Sequence, residues 1–253
     1  MSGHTAASGS IAKPSAGRVT PWLGAVLALA GLGAAFWPNY LARLAAAPWT
    51  LHLHALTALA WLVLLATQRS AVRAGALGRH RLIGRYGLWL GPIVALAALP
   101  PLLRTVQAVA DGEASLGQRG EAAYALVLAA GALCAFTVAL AAGAMRRRQP
   151  AQHGAWMMLT GLALCGAVVQ RLLLFHVPGF ERVEWAGHGE LWTMEACCAA
   201  LWIDARARGL PTAPARLSLL LYGAVHVVFT VAAPALPGLV ATTPAVDGAA
   251  VER

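Results

Sequence analysis

The sequence predicts an all-α fold, a polytopic bundle of about seven transmembrane helices with the N-terminus inside and the C-terminus outside. Composition supports this prediction, because 59% of the residues are apolar, only 11% are charged and the mean hydropathy is +0.64. A soluble domain carries about 25% charged residues. Several apolar stretches also approach the roughly 20 residues that one membrane crossing needs. The period-two alternation that is typical of membrane β-barrels is not found.

The predicted spans follow one another with short polar breaks between them. They cover residues 21–37, 49–67, 86–103, 122–145, 155–175, 189–203 and 217–233, and the sixth is short and polar. We therefore interpret residues 21–233 as a single membrane domain, residues 1–20 as a flexible tail and residues 234–253 as a disordered tail. The first span has a competing interpretation as a cleaved signal peptide, although its apolar stretch is long for one.

Arginine-rich loops set the predicted orientation. Most arginines lie at residues 69–85, 146–148 and 206–216, and cytoplasmic loops retain such residues. This pattern predicts a multi-pass protein of the bacterial plasma (inner) membrane, with the lipid bilayer as its main partner. The net charge of +9 does not predict nucleic-acid binding, because the arginines lie in loops and form no basic face. A homo-oligomer and a redox partner are two interpretations that the sequence leaves open.

The second predicted span, HLHALTALAWLVLLATQ, carries a polar stripe. His54, Thr57, Trp61 and Gln68 fall close to one helix face, since spacings of three, seven and fourteen residues return to nearly the same direction. The stripe predicts either a ligand-binding or proton-handling group at His54, or a hydrogen bond from His54 to a neighbouring helix.

The sixth predicted span has a second polar face, which includes His188 and Glu195. An ionisable side chain deep in a span usually faces a partner or a water-filled cavity. Arg171, in the fifth span, is the predicted counter-ion of Glu195. The pair is interpreted either as a structural ion pair or as part of a proton or ligand pathway, with Glu190 and His176 at its mouth.

Histidines at matched depth predict a haem site. His54 and His226 are each roughly 10 Å from the outer end of their span, counted along the helix. Two neutral imidazoles on facing helices can bind haem b iron from opposite sides. We therefore predict His54 with His226, or with His188, as haem b ligands. This prediction requires the two helices to be neighbours.

His80 and His153 form a second candidate pair at the inner side. Each lies among arginines at the cytoplasmic start of a predicted helix. If these helices are adjacent, the pair could bind a second haem whose propionates would meet the arginines. The alternative is that both are interfacial histidines that contact headgroups or helix ends. No other metal site is predicted, because the sequence has no HExxH, no paired CxxC and no short ligand-spaced His/Asp cluster.

Three motifs, HLHALTALAWLVLLATQ, LGRHRLIGRYGL and QHGAWMMLTGLALCGAVVQRLL, occur in this order. With them, residues 50–205 resemble a large uncharacterised family of bacterial multi-pass membrane proteins. The resemblance implies this architecture and singles out the motif positions, which are His54, Gln68, His80, Gly84, His153, Trp156 and Arg171. A weaker resemblance is to di-haem cytochromes b, which carry histidines where this chain has His54 and Gln68. Because glutamine is a poor haem ligand, that departure implies one haem at most.

Three functions follow from these observations, and none identifies a catalytic residue. The first is a haem-associated protein of transmembrane redox or electron transfer. The second is a proton-coupled transporter or binding protein without a cofactor, in which polar side chains line a pathway, namely Arg171, Glu195, Glu190 and Gln68. The third is a non-catalytic membrane scaffold or assembly subunit.

Overall fold

The computed structural model describes residues 21–111 and 114–238, with side chains from residue 26 onward. The α-helices are α1 (Pro21–Phe36), α2 (Trp49–Arg73), α3 (Leu77–Ala97), α4 (Leu99–Ala110), α5 (Leu116–Met145), α6 (Pro150–His176), α7 (Val183–Ala207) and α8 (Ala213–Val231). Two short 3-10 helices, Leu41–Ala46 and Ala233–Ala235, complete the described elements. The all-α prediction is confirmed for this part of the chain. The predicted tail 1–20 and residues 239–253 lie outside it.

Five helical stretches are long and apolar enough to cross a membrane. They are Trp49–Arg73, Leu77–Ala110, Leu116–Met145, Pro150–His176 and Ala213–Gly238, and they include the second, third, fourth, fifth and seventh predicted spans. The first predicted span corresponds to a shorter apolar helix, Val26–Phe36. The sixth corresponds to α7, which has the length of a span but is more polar than the five. By length and composition, the chain is a multi-pass membrane protein.

Helix α5 lies at the centre of the bundle. It packs against α3, α4, α6, α7 and α8, while α1 packs on α6. Helix α2 packs mainly against α3 and α6, whereas α8 packs against α7, α5 and α6. Consequently, α2 and α8 lie in different parts of the bundle and do not pack against each other.

The core between α2, α5 and α6 is built around Trp61, which is 1% exposed. Its ring meets Phe136 edge-on with centroids 5.5 Å apart, and its indole Nε1 donates a hydrogen bond of 2.9 Å to the hydroxyl of Thr160. Gly91 of α3 lies against Trp61 and Leu140, where a side chain would not fit. Small residues of this kind allow close approach of membrane helices.

We expect Thr160→Val to lower the free energy of unfolding by about 1–3 kcal/mol, because it leaves the buried indole N–H of Trp61 without an acceptor. The matched control is Thr67→Val, since the Thr67 hydroxyl bonds only to the carbonyl of Leu64 in its own helix. Thermal unfolding in detergent, followed by circular dichroism, measures both. Equal stability of the two variants would contradict this account of the core.

The beginning of the predicted C-terminal tail differs from the prediction. Residues 234–238 are not irregular, because Ala233–Ala235 forms a 3-10 helix and residues 236–238 are helical. Pro234 occupies the first turn, where its missing N–H costs nothing. Ala233 is fully buried, and this segment packs against α5. The packing of Ala233 explains why the helical region continues beyond α8.

Candidate functional site

Three ionisable side chains of α7 and α8 form one hydrogen-bonded chain. Nδ1 of His188 lies 3.0 Å from Nε2 of His226. Nδ1 of His226 lies 2.8 Å from Oε1 of Glu195. His226 therefore uses both ring nitrogens, one toward each of the two α7 side chains.

The direction of the hydrogen bonds follows from the chemistry of the groups. An ionised carboxylate can only accept, so His226 Nδ1 donates to Glu195. In a neutral imidazole the other nitrogen is then an acceptor, and His188 Nδ1 donates to His226 Nε2. The remaining nitrogen of His188, Nε2, is consequently left with a lone pair. The hydrogen-bonded chain therefore starts at the lone pair of His188 Nε2 and ends at the carboxylate of Glu195.

Helix geometry explains how α7 supplies both ends of this chain. His188 and Glu195 are seven residues apart, which is nearly two turns, so they share a face about 10 Å apart along the axis. His226 enters between them from α8, which packs directly on α7. Glu195 is twelve residues from either end of Val183–Ala207. The hydrogen-bonded chain therefore extends from the first third of α7 to the midpoint of this helix.

Aromatic rings hold His188 in place. Trp192 stacks on it at 5.6 Å with an angle of 25°, and Phe229 of α8 meets it edge-on at 5.0 Å. Gly187 makes this contact between α7 and α8 close, because a Cβ there would overlap the Phe229 ring. The position of the imidazole is thus determined by packing as well as by its hydrogen bond.

Glu195, at the carboxylate end of the hydrogen-bonded chain, borders a groove on the surface of the bundle. A shallow groove between α7 and α8 is lined by Glu195, Gly223, His226, Val227, Thr230 and Val231. The side chain of Glu195 is 25% exposed and that of His226 is 16% exposed. Gly223 contributes no side chain, and nothing lies within 4 Å of the place where a Cβ would be. Glu195 is therefore reachable from the groove.

A second ionisable group lies inside the bundle, between α2, α6 and α7. Arg171 interacts electrostatically with Glu190 and with His54. Its guanidinium donates to the carbonyl of Ala167 at 3.0 Å and lies 4.8 Å from the centroid of the Phe36 ring. Glu190 is 5% exposed and packs against Gly166. The predicted pairing of Arg171 with Glu195 is thus corrected, since Glu195 bonds to His226 and the described residues show no ion pair between Arg171 and Glu195.

The polar stripe of α2 turns toward the interior. Thr57 and Trp61 are buried, and Nδ1 of His54 and Oε1 of Gln68 are buried without a hydrogen-bond partner among the described residues. Gln68 lies against Gly84 of α3. The stripe therefore places its two ends in different surroundings, His54 beside Arg171 and Gln68 beside α3.

The predicted outer haem pair is not brought together. His54 is on α2 and His226 is on α8, and these helices do not pack against each other. Both ring nitrogens of His226 already have partners, so neither is free to bind iron. His188 is likewise turned toward His226 and away from α2. At the inner side, by contrast, His80 and His153 do lie face to edge, with centroids 6.3 Å apart.

Two other histidines, His52 and His176, hold the periphery of the bundle together. Nδ1 of His52 lies 2.8 Å from the hydroxyl of Tyr40, and His176 Nε2 donates to the carbonyl of Ala34 at 3.0 Å. Both bonds fasten the α1 region to its neighbours. His176, predicted at the mouth of a pathway with Glu190, is thus engaged with the backbone of α1.

Three glycines that were not among the predicted site residues shape these sites. Gly166 makes room for Glu190, Gly187 for Phe229 and Gly223 for the groove. Gly166 and Gly187 each face a polar or aromatic side chain of the next helix, whereas Gly223 faces open space at the groove. A glycine opposite a polar or aromatic side chain of a neighbouring helix would have indicated the site. It can be recognised only when the neighbouring helices are known.

No family model, curated protein or solved structure matches this chain. The resemblance to the uncharacterised membrane family and the weaker one to cytochromes b therefore remain predictions.

Proposed function

We propose that this protein is a proton-coupled membrane transporter in which His188, His226 and Glu195 carry the proton. The observation behind the proposal is the continuous chain of hydrogen bonds of 3.0 Å and 2.8 Å that joins these three side chains. Ionisable residues within membrane helices commonly belong to proton relays or substrate pathways. Here they reach the midpoint of α7, where Glu195 bonds to His226 of α8.

Proton transfer along the chain balances at each bond. A proton that binds His188 Nε2 allows the Nδ1 proton of His188 to pass to His226 Nε2. The Nδ1 proton of His226 then passes to Glu195 Oε1, which becomes a neutral carboxylic acid. The net result is one proton moved from the entrance to Glu195, with both imidazoles neutral in the other tautomer. Imidazole supports this because it donates and accepts through two different nitrogens.

The partial exposure of Glu195 supports transport over a purely structural ion pair. A hydrogen bond that only fixed the packing of α7 and α8 would need no opening, whereas a relay needs a place where its last proton can leave. Glu195 is 25% exposed and borders the groove. A neutral, protonated Glu195 could move through an apolar environment at lower cost than a carboxylate. The groove thus supplies a place where the proton leaves the relay.

The sequence supports a topology for this function. We propose seven spans in the bacterial plasma membrane, with α7 crossing between α6 and α8 and with the N-terminus inside. The regular alternation of the arginine-rich loops is the support. In this orientation His188 lies on the outer side, so the relay would take up protons from outside the cell.

Proton flux into proteoliposomes tests the relay. The full-length protein is reconstituted with an internal pH-sensitive dye, and a potassium gradient with valinomycin drives protons inward. We expect Glu195→Gln and His226→Gln each to reduce the flux by about 100-fold, because glutamine keeps a hydrogen bond but cannot exchange a proton. Wild-type flux no higher than that of empty liposomes, or unchanged flux in both variants, would overturn the proposal and favour a structural pair.

The matched control is Glu121→Gln, which removes the carboxylate of an exposed residue at the start of α5. We expect wild-type flux from this variant. Infrared difference spectra after a pH jump provide a second measurement, because the carboxylic acid band of Glu195 should be lost in Glu195→Gln and retained in Glu121→Gln.

A substitution in the groove tests the exit separately from the relay. We expect Gly223→Val to reduce flux about 10-fold or more, because its side chain enters open space beside Glu195 without touching the hydrogen bonds. Unfolding temperature should stay within the range of the wild type. If Gly223→Val transports normally, Glu195 does not release its proton through this groove.

A further inference from the structure

A second groove lies at the arginine-rich end of the bundle, where the last two turns of α2 meet the start of α3. Its volume is about 330 Å³, and four alanines form most of its wall. Ser70 and Arg79 give it polar edges. Ligand sites in proteins begin at about 300 Å³. The groove is therefore large enough for a small polar group.

The turn between α2 and α3 places an uncapped helix start at this groove. Gly75, at φ +69°, lets the turn close, and the N–H of Ala76 donates to the carbonyl of Ala71 at 2.9 Å. Ala76 is also the N-cap residue of α3, and its side chain gives no hydrogen bond to the first turn. The N–H groups at a helix start attract anions, because they point away from the helix without partners in it. The backbone at this groove therefore favours a negatively charged group.

The five arginines of residues 69–85 have no carboxylate partner among the described residues. Residues 1–110 contain no Asp or Glu, so α1–α4 cannot supply one. The ion pairs that the described residues do form all involve a carboxylate of α7. Arg79 lines the groove and is exposed. Its guanidinium is therefore available to an anion from outside the chain.

Two hydroxyl groups of α2 add hydrogen-bond acceptors to the groove. Thr67 donates its proton to the carbonyl of Leu64 at 2.8 Å, and Ser70 donates to that of Ala66 at 2.9 Å. The lone pairs of both oxygens remain, so these hydroxyls can accept from a ligand hydroxyl but cannot also donate to a phosphate. The groove thus combines donors for an anion with acceptors for hydroxyl groups.

An apolar strip of α2 continues from the groove toward the middle of the helix. Leu56, Leu59 and Val63 are 64%, 44% and 55% exposed. Because steps of three, four and seven residues return to nearly the same face, these side chains line up with Ala66 and Ser70 of the groove. In a bilayer, such a strip contacts lipid acyl chains. The whole surface therefore suits a ligand with an anionic head and apolar tails, which a free phosphate is not.

We propose that this groove binds the headgroup of an anionic phospholipid that carries hydroxyl groups, such as phosphatidylglycerol. Its phosphate contacts Arg79 and the start of α3, its glycerol hydroxyls donate to Ser70 and Thr67, and its acyl chains lie along α2. Basic pockets between membrane helices bind anionic headgroups in this way. A choline headgroup fits poorly, because its cation faces arginines and donates no hydrogen bond to the hydroxyls. The site is separate from the relay of α7 and α8.

Native mass spectrometry of the full-length protein in detergent, titrated with one lipid at a time, tests this site. We expect one phosphatidylglycerol to bind at least 10-fold more tightly than phosphatidylcholine with the same acyl chains. Arg79→Gln should weaken this binding by about 5-fold or more, the contribution of one arginine beside anionic lipid. Ala66→Leu should weaken it at least 10-fold, because leucine fills the groove without changing the charge. Ser70→Ala should weaken binding of phosphatidylglycerol but not of phosphatidic acid, which has no glycerol in its head.

The matched control is Arg148→Gln, which removes an exposed arginine at the same end of the bundle but outside the groove. We expect wild-type affinity from it, since general attraction to positive charge would be lowered equally by both arginine variants. Glu195→Gln should also bind the lipid normally, so this site and the relay can fail independently. Equal affinity for the two lipids, or wild-type affinity in both Arg79→Gln and Ala66→Leu, would contradict the proposal. Displacement of the lipid by an equal concentration of inorganic phosphate would do so too, because the ligand would then be a free anion.

Discussion

Gly187→Leu is expected to give little or no folded protein, and Gly187→Ala to lower the free energy of unfolding by about 2 kcal/mol. The reason is the close contact of α7 with α8 and α5. A Cβ at Gly187 would overlap the Phe229 ring and press on Leu128, and Phe229 is fully buried with no room to move aside. Phe229 also supports the ring of His188. The substitution should therefore disturb the relay as well as the packing.

The matched control for Gly187→Ala is Gly223→Ala on α8, where a Cβ meets nothing within 4 Å. Alanine favours helix over glycine by up to about 1 kcal/mol, so this control should be neutral or stabilising. Thermal unfolding in detergent and the yield of monodisperse protein provide the measurement. A Gly187→Ala protein as stable as Gly223→Ala would show that α7 can move away from α8.

Arg171→Met is expected to lower the free energy of unfolding by about 1–2 kcal/mol, because it removes the cation that acts on the buried Glu190, whose carboxyl can then become neutral by binding a proton. Glu190 is 5% exposed, and Arg171 is the cation that acts on it. Methionine has a similar length and keeps much of the packing against Phe36. The effect should therefore come from charge and not from volume.

A double-mutant cycle separates these contributions. In Arg171→Met with Glu190→Gln, the charge that needed compensation is absent, and we expect at least half of the lost stability to return. The control Arg182→Met removes a cation whose side chain is 71% exposed and pairs with Glu184 at 3.6 Å. That exposed pair should contribute less than about 1 kcal/mol. An additive cycle would mean that Arg171 and Glu190 do not act on each other.

Helix positions could be predicted from the sequence because they depend on local properties. Apolar length and arginine-rich loops are both read within a few residues, and each predicted span overlaps a described helix, the third covering the junction of α3 and α4. The helical structure after α8 was harder to predict, because Ala233 is held by packing on α5, which is distant in sequence. Local composition around Pro234 and Pro237 indicated an irregular tail instead.

Partners within the site could be predicted only in part. His188 and Glu195 share a helix face by simple counting, whereas Glu190 and Glu195 are five residues apart and face directions about 140° different. That angle is why His226 reaches Glu195, while Glu190 turns into the bundle and packs against Gly166. The angle between Glu190 and Glu195 can be calculated from the sequence, but the arrangement of the other helices around α5 cannot. Without that arrangement, His54 and His226 looked suitable as a pair.

If α7 crosses the membrane as proposed, its polarity bears on how the chain enters the bilayer during synthesis. A translocon that tests each segment alone would find Glu190 and Glu195 costly, at about 2.5–3.5 kcal/mol for a central charge. Both costs fall once the neighbours arrive, since α6 brings Arg171 and α8 brings His226. Insertion of α7 should therefore wait for α8. Nascent chains that stop before residue 213 are expected to leave α7 outside the bilayer.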